Sequence, residues 1–123
     1  MPTKDASKFT TESINVTATA ADASAQLLYT CPTNFSAVVT FLLVSSGSVH
    51  NKDISIQFYH QVQAAYKYML RTYRMGSNSV FVLTNTPSLS LHQGDKLVCF
   101  TDSTGNFDVT ISVEEYFDPV RKL

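Results

Sequence analysis

The chain has no tryptophan, and only four of its 123 residues are glycine, four proline and two cysteine. Four glycines are too few for a phosphate-cradling glycine loop, and none of the usual spacings for one occurs. Two cysteines, Cys31 and Cys99, do not make a disulfide framework; each is expected to be a small buried apolar side chain. Charged residues make up 15% and the net charge is −1, which argues against a general nucleic-acid or anionic-membrane binder. No apolar run approaches the ~20 residues that would span a bilayer as a helix. Residues 1–10 are polar and mixed in charge and do not read as a secretory leader, so a soluble, cytosolic protein is expected. On that ground the acceptor patterns Asn15-Val16-Thr17 and Asn34-Phe35-Ser36 are read as coincidental.

What the chain does have is eight phenylalanines, six tyrosines and many short stretches that alternate apolar and polar. The clearest is 107–115, where Phe107, Val109, Ile111 and Val113 share one face and Asp108, Thr110, Ser112 and Glu114 the other. A period of two over this length means a strand with one buried face. Upstream, a strand at 97–100 follows the turn Gly94-Asp95. Gly94 supplies a positive φ there, and Asp95 can bond its own backbone. Further strands are expected at 11–19, 26–31, 35–46, 52–61, 66–75, 80–83 and 89–91. Pro32-Thr33-Asn34, 45–51, 62–65, 76–79, Asn85-Thr86-Pro87 and 102–106 separate them. In 35–46, Phe35, Ala37, Val39, Phe41 and Leu43 fall on one face and Val38, Leu42 and Val44 on the other. A strand apolar on both faces is central or covered by another protein. No amphipathic helix and no internal repeat are found. Eight or nine short strands with evenly spaced turns predict an all-β fold, an antiparallel β-sandwich of jelly-roll type. It would be one domain over 11–118, with a polar arm at 1–10 and a tail at 119–123.

Candidate chemistry is sparse. His50, His60 and His92 stand at no metal-ligand spacing, so no metal and no cofactor are expected. Glu114 and Glu115 are adjacent on a strand and point to opposite faces, which opposes a catalytic carboxylate pair and favours a solvated strand end. Asp53, Asp95, Asp102 and Asp108 lie at turns or strand edges, consistent with structural roles or edge protection. No nucleophile–base spacing appears, so no catalytic residue is assigned and an enzyme is not expected. The stretch with functional character is 59–74, YHQVQAAYKYMLRTYR. Tyr59, Tyr66, Tyr68 and Tyr73 interleave there with Lys67, Arg71 and Arg74, and Tyr and Arg are favoured in protein interfaces. The same set could stack on sugars or bases, or be an ordinary strand with solvated cations.

Two segments carry a family resemblance. Leu28, Tyr29, Thr30, Cys31, Pro32, Asn34, Ala37, Val38 and Val39 form the first. The second comprises Leu91, Gly94, Asp95 and Leu97, followed by Asp108, Val109, Thr110, Ile111, Ser112, Val113 and Glu115. Together they resemble small virion proteins of tailed bacteriophages of the cyanophage and marine-phage type. Residues 50–74 depart from that pattern, with more Tyr and Arg and fewer small residues. The resemblance implies a structural part of a phage particle, most simply a head decoration (cement) protein, with a neck, tail or fibre subunit as the alternative. A carbohydrate-binding module is the reading from another class. The implied partners are the major capsid protein or other virion proteins and further copies of the chain, as a trimer or dimer. The implied place is the virion, assembled in the host cytoplasm, with no membrane and no nucleic-acid partner.

Overall fold

The computed structural model describes residues 8–46, 52–76, 79–82, 89–102 and 107–117. Residues 1–7 of the arm expected at 1–10, the loop around His50, the break at Asn85-Thr86-Pro87, most of the 102–106 turn and the segment from Asp118 onward lie outside them.

The elements are β1 (Lys8–Val16), a 3₁₀ turn (Asp22–Ser24), β2 (Gln26–Thr30), β3 (Phe35–Ser46), β4 (Lys52–His60) and β5 (Ala65–Met75). There follow β6 (Val80–Val82), β7 (Leu89–Leu91), β8 (Lys96–Thr101) and β9 (Phe107–Phe117). They form two antiparallel sheets: sheet A in the order β1-β9-β3-β6, with β7 also paired to β3, and sheet B in the order β2-β8-β4-β5. β6 pairs with residues 43–45 of β3 and β7 with residues 37–39, so the two are halves of one interrupted strand. Pairing is then nested from the outside in: β1 with β9, β2 with β8, β3 with β6 and β7, β4 with β5. That nesting is a long hairpin rolled into two sheets, the jelly roll, and it places sequence-distant strands side by side.

The core lies between the sheets. Val16, Leu42, Val44, Phe107, Val109, Ile111 and Val113 come from sheet A and Leu28, Ile54, Ile56, Leu97 and Cys99 from sheet B, all nearly inaccessible. The alternation read in 107–115 holds throughout β9 and continues one step further. Glu115 has the parity of Val113 and is buried, so it is not the solvated strand end that was expected. Tyr29 Oη donates to its Oε2 at 2.5 Å. Glu114 faces the other way, as the strand geometry requires.

Bulges break the expected grouping of faces in β3 and the strict alternation of β5. In β3, Val39 opposes Val113 while Phe41 opposes Ser112, so Thr40 is an extra residue. Each extra residue reverses the in–out phase. Ala37 and Val39 point inward before the bulge; Leu42, Val44 and Ser46 do so after it. The strand is central, as expected; its inward face is Ala37, Val39, Leu42 and Val44, and its outward face keeps Val38, Phe41 and Leu43 apolar. β5 carries two extra residues against β4, between partners Ile54 and Ile56 and again between Ile56 and Gln57. Thr72, at φ +44°, lies in the first of them, and its N–H donates to Ser55 Oγ at 2.8 Å. Met69 and Leu70, although adjacent in the strand, therefore both pack on the core. β1 begins at Lys8, ahead of the expected residue 11, because β9 is long enough to pair with it as far as Glu115.

Gly94-Asp95 ties one end of the sandwich together. Gly94 has φ +86°, and a Cβ there would sit 2.8 Å from Gln61 Cγ. Its N–H donates to the Cys31 carbonyl (3.0 Å), and the Cys31 N–H donates to the Asp95 carbonyl (2.9 Å). The Asp95 carboxylate, 2% exposed, accepts the N–H of His92 on Oδ2 and that of Gln61 on Oδ1, both at 2.9 Å. One side chain thus fixes its own turn and the β4–β5 connection.

Candidate interaction face

The outer surface of sheet B is built from the side chains that alternate with its core residues. Three cross-strand rows result. Lys96, Tyr59 and Tyr66 form the first, Val98, Gln57 and Tyr68 the second, and Phe100 with Ser55 the third. The 3₁₀ turn folds over the middle row. The Asp22 N–H donates to Gln57 Oε1 and Gln57 Nε2 donates to Asp22 Oδ1, both at 2.9 Å. This reciprocal pair explains how an outward Gln57 is buried, and why Val98 beside it is buried outside the core. Neither was foreseen, because nothing in the local pattern says that residues 22–24 return to β4.

What remains open on this face is aromatic and cationic. The Tyr59 and Tyr66 rings lie 4.6 Å apart, and Tyr68 meets Phe100 edge-on at 6.3 Å. Arg71 Cζ lies 3.9 Å from the centre of the Tyr68 ring, and Lys96 Nζ 5.3 Å from that of Tyr59. A guanidinium on a ring face is held by the ring quadrupole, so its fork is presented with little rotamer freedom to lose. Of the seven residues singled out in 59–74, the fold brings Tyr59, Tyr66, Tyr68 and Arg71 together here. Arg74 is at the far end of β5 and pairs with Asp53 (Nε–Oδ1, 2.9 Å). Lys67 opposes Phe58 and Tyr73 opposes Ile54, residues of the core side, so both are exposed at the sheet edge rather than in the aromatic rows. Sequence reasoning omitted Lys96 and Phe100, whose only signal is outward parity in β8.

The outer surface of sheet A has a different character. Phe9, Phe41, Val80, Val82 and Tyr116 are exposed on it, with Val38 and Leu43 between them. Beside them runs a hydroxyl ladder across β1 and β9: Thr11 with Ser112 at 2.9 Å and Ser13 with Thr110 at 3.1 Å.

The remaining chemistry-bearing groups are interior. Cys31 and Cys99 are buried and free. Burial pushes the Cys99 thiol up to about 12, and burial with the Glu115 and Asp95 carboxylates does the same to Cys31. Tyr29 is raised far above its ordinary value, by burial first and then by its bond to Glu115. Among the described residues no group of three or more His, Cys, Asp or Glu side chains could hold a metal. No helix among them is long and apolar enough to cross a membrane.

No family model matches this sequence, and no curated protein is similar to it. Solved structures are similar in fold. One is the infectious bursal disease virus VP2 subviral particle, with TM-score 0.53 and 11% identity over 97% of this chain and 34% of that one. T=1 particles derived from the same virus give TM-score 0.53 and 11% identity over 97% and 33%. The Gx strain of the virus gives 0.51 and 10% over 99% and 36%. The chain therefore spans about a third of the length of these proteins. At such identities the likeness is one of fold, the same two-sheet architecture.

Proposed function

We propose that this protein is a non-enzymatic structural component of a virus particle, and within that class a decoration (cement) protein of a tailed-phage head. The observation that carries the reading is that almost the whole chain, as one jelly roll, superposes on part of a protein that was solved as a subviral particle. Jelly rolls also serve as lectins and enzymes, so the fold alone is not a function. The sequence resemblance to phage virion proteins and the Tyr/Arg face of sheet B support the choice among them. In this reading the sandwich sits on the shell, and Tyr59, Tyr66, Tyr68 and Arg71 bind coat subunits or a sister copy. A stable contact of this kind buries about 1,600 Å² in total, and shell symmetry repeats it many times.

The test is the abundance of this chain in purified particles relative to the major coat protein. Stoichiometry comparable with the coat supports cement; a small fraction of it points to a neck, tail or fibre subunit. Absence from particles refutes the virion reading. The half-exposed tyrosines of sheet B favour one alternative, carbohydrate binding, which a glycan array with the isolated protein would reveal.

A further inference from the structure

The rolled topology sorts the charges. The strands of sheet B hold five cations (Lys52, Lys67, Arg71, Arg74, Lys96) against one acid, Asp53. Those of sheet A hold one cation, Lys8 at the start of β1, against four acids: Glu12, Asp108, Glu114 and Glu115. From Phe9 to Val16, and throughout β3, β6, β7 and β9, sheet A has no lysine or arginine. Of the described cations on sheet B, Arg74 is neutralised by Asp53, whereas Arg71 and Lys96 rest on tyrosine rings and make no ion pair among the described residues. Outward on sheet B stand Arg71 and Lys96 among the tyrosines; outward on the opposite side, sheet A carries Asp108 and Glu114 beside exposed Phe9, Phe41, Val80, Val82 and Tyr116, while Glu115 is buried and Glu12, opposite Ile111, has core-side parity.

From this complementarity we infer that the partner of the sheet A face is the sheet B face of a second copy of this chain, a head-to-tail contact. The inference rests on the assembly role proposed above and names its sister-copy contact. A self-contact of sheet A through a two-fold axis would bring Asp108 and Glu114 of both copies onto one interface with no cation among the described side chains of that face to offset them. The opposite faces instead pair acid with Arg71 and Lys96, and aliphatic with aromatic side chains. The areas agree. β9 has eleven residues and the sheet is four strands wide, roughly 37 Å by 19 Å at ordinary strand rise and spacing. That is roughly 700 Å², close to the ~800 Å² per partner of a standard interface. A head-to-tail contact closes into a ring or runs on as a filament, according to the rotation between neighbours.

Two variants separate the readings in sedimentation of the isolated full-length protein. Val82→Lys alters only the sheet A face and Arg71→Glu only the sheet B face. The wild type is expected to self-associate at low salt and to weaken as salt screens the charges. Each variant alone is expected to be monomeric, with at least about a tenfold loss of affinity. Mixed one to one, the variants still share one intact pair of faces, so they form a dimer that grows no further. A monomeric wild type at all concentrations overturns the inference. So does an Arg71→Glu protein that associates like the wild type, which would mean that sheet A pairs with itself. A mixture that stays monomeric also overturns it. Circular dichroism checks folding; should either variant unfold, Val82→Thr or Arg71→Gln takes its place. Particle abundance is read separately, so self-association without incorporation would sink the virion reading and leave this one standing.

Discussion

Asp95 gives the sharpest test of the fold. Changing it to Ala removes the acceptor of two backbone N–H groups, those of Gln61 and His92. Each donor left without a partner in a buried setting costs about 1–3 kcal/mol. Both bonds are part-buried, so water recovers some of the loss. The expected destabilisation is about 2–4 kcal/mol, a sizeable part of the ~5–15 kcal/mol that holds a domain of this kind. Asp95→Asn keeps one carbonyl oxygen but turns an N–H₂ toward the other donor, so about half the loss is expected. Urea unfolding followed by circular dichroism measures both. The m-value should not change, because the native surface does not. If the Ala variant lies within about 0.5 kcal/mol of wild type, the range of a neutral surface change, then the turn is held by its backbone bonds to Cys31 and the account given for Asp95 is wrong.

Other outcomes follow from the same structure. Gly94→Ala should lose about 1 kcal/mol or more in the same assay, since φ is positive and the new Cβ meets Gln61; no loss would mean that the loop shifts freely. Tyr29→Phe removes the donor to buried Glu115 and should cost about 1–3 kcal/mol, read as a lower melting temperature. Because burial raises the Cys99 thiol from 9.0 to about 12, the folded state favours the protonated form. Its contribution is complete below pH 9 and is lost as pH rises from 9 toward 12, at up to about 1.4 kcal/mol per pH unit. Urea midpoints at pH 8, 10 and 11 should fall in that order in wild type and less steeply in Cys99→Ala. Tyr68→Ala with Arg71→Ala should reduce occupancy on purified particles and leave the melting curve of the isolated protein nearly unchanged; full occupancy would remove this face from the particle contact.

How far the sequence could be read depended on where each piece of information lies. Strand existence is local. The alternation of Phe107, Val109, Ile111 and Val113, the stop at Pro32 and the turn at Gly94-Asp95 each need only neighbouring residues, so the all-β sandwich and most strand positions were legible. The candidate face was legible in part. Tyr59, Tyr66, Tyr68 and Arg71 stood out by composition, but Lys96 and Phe100 join them only because β8 pairs with β4.

Strand pairing and register belong to the tertiary structure, because they are settled by partners far along the chain. The extra residue at Thr40 reverses which side chains of β3 face the core, and it shows only against β9. The same is true of the β5 bulges, of Gln57 buried under Asp22, and of Glu115 drawn inward beneath Tyr29. The segregation of cations to one sheet and acids to the other is also a product of the nesting. Composition alone gives a chain of net charge −1, and the rolled hairpin sets Arg71 and Lys96 on one outer face and Asp108 and Glu114 on the other.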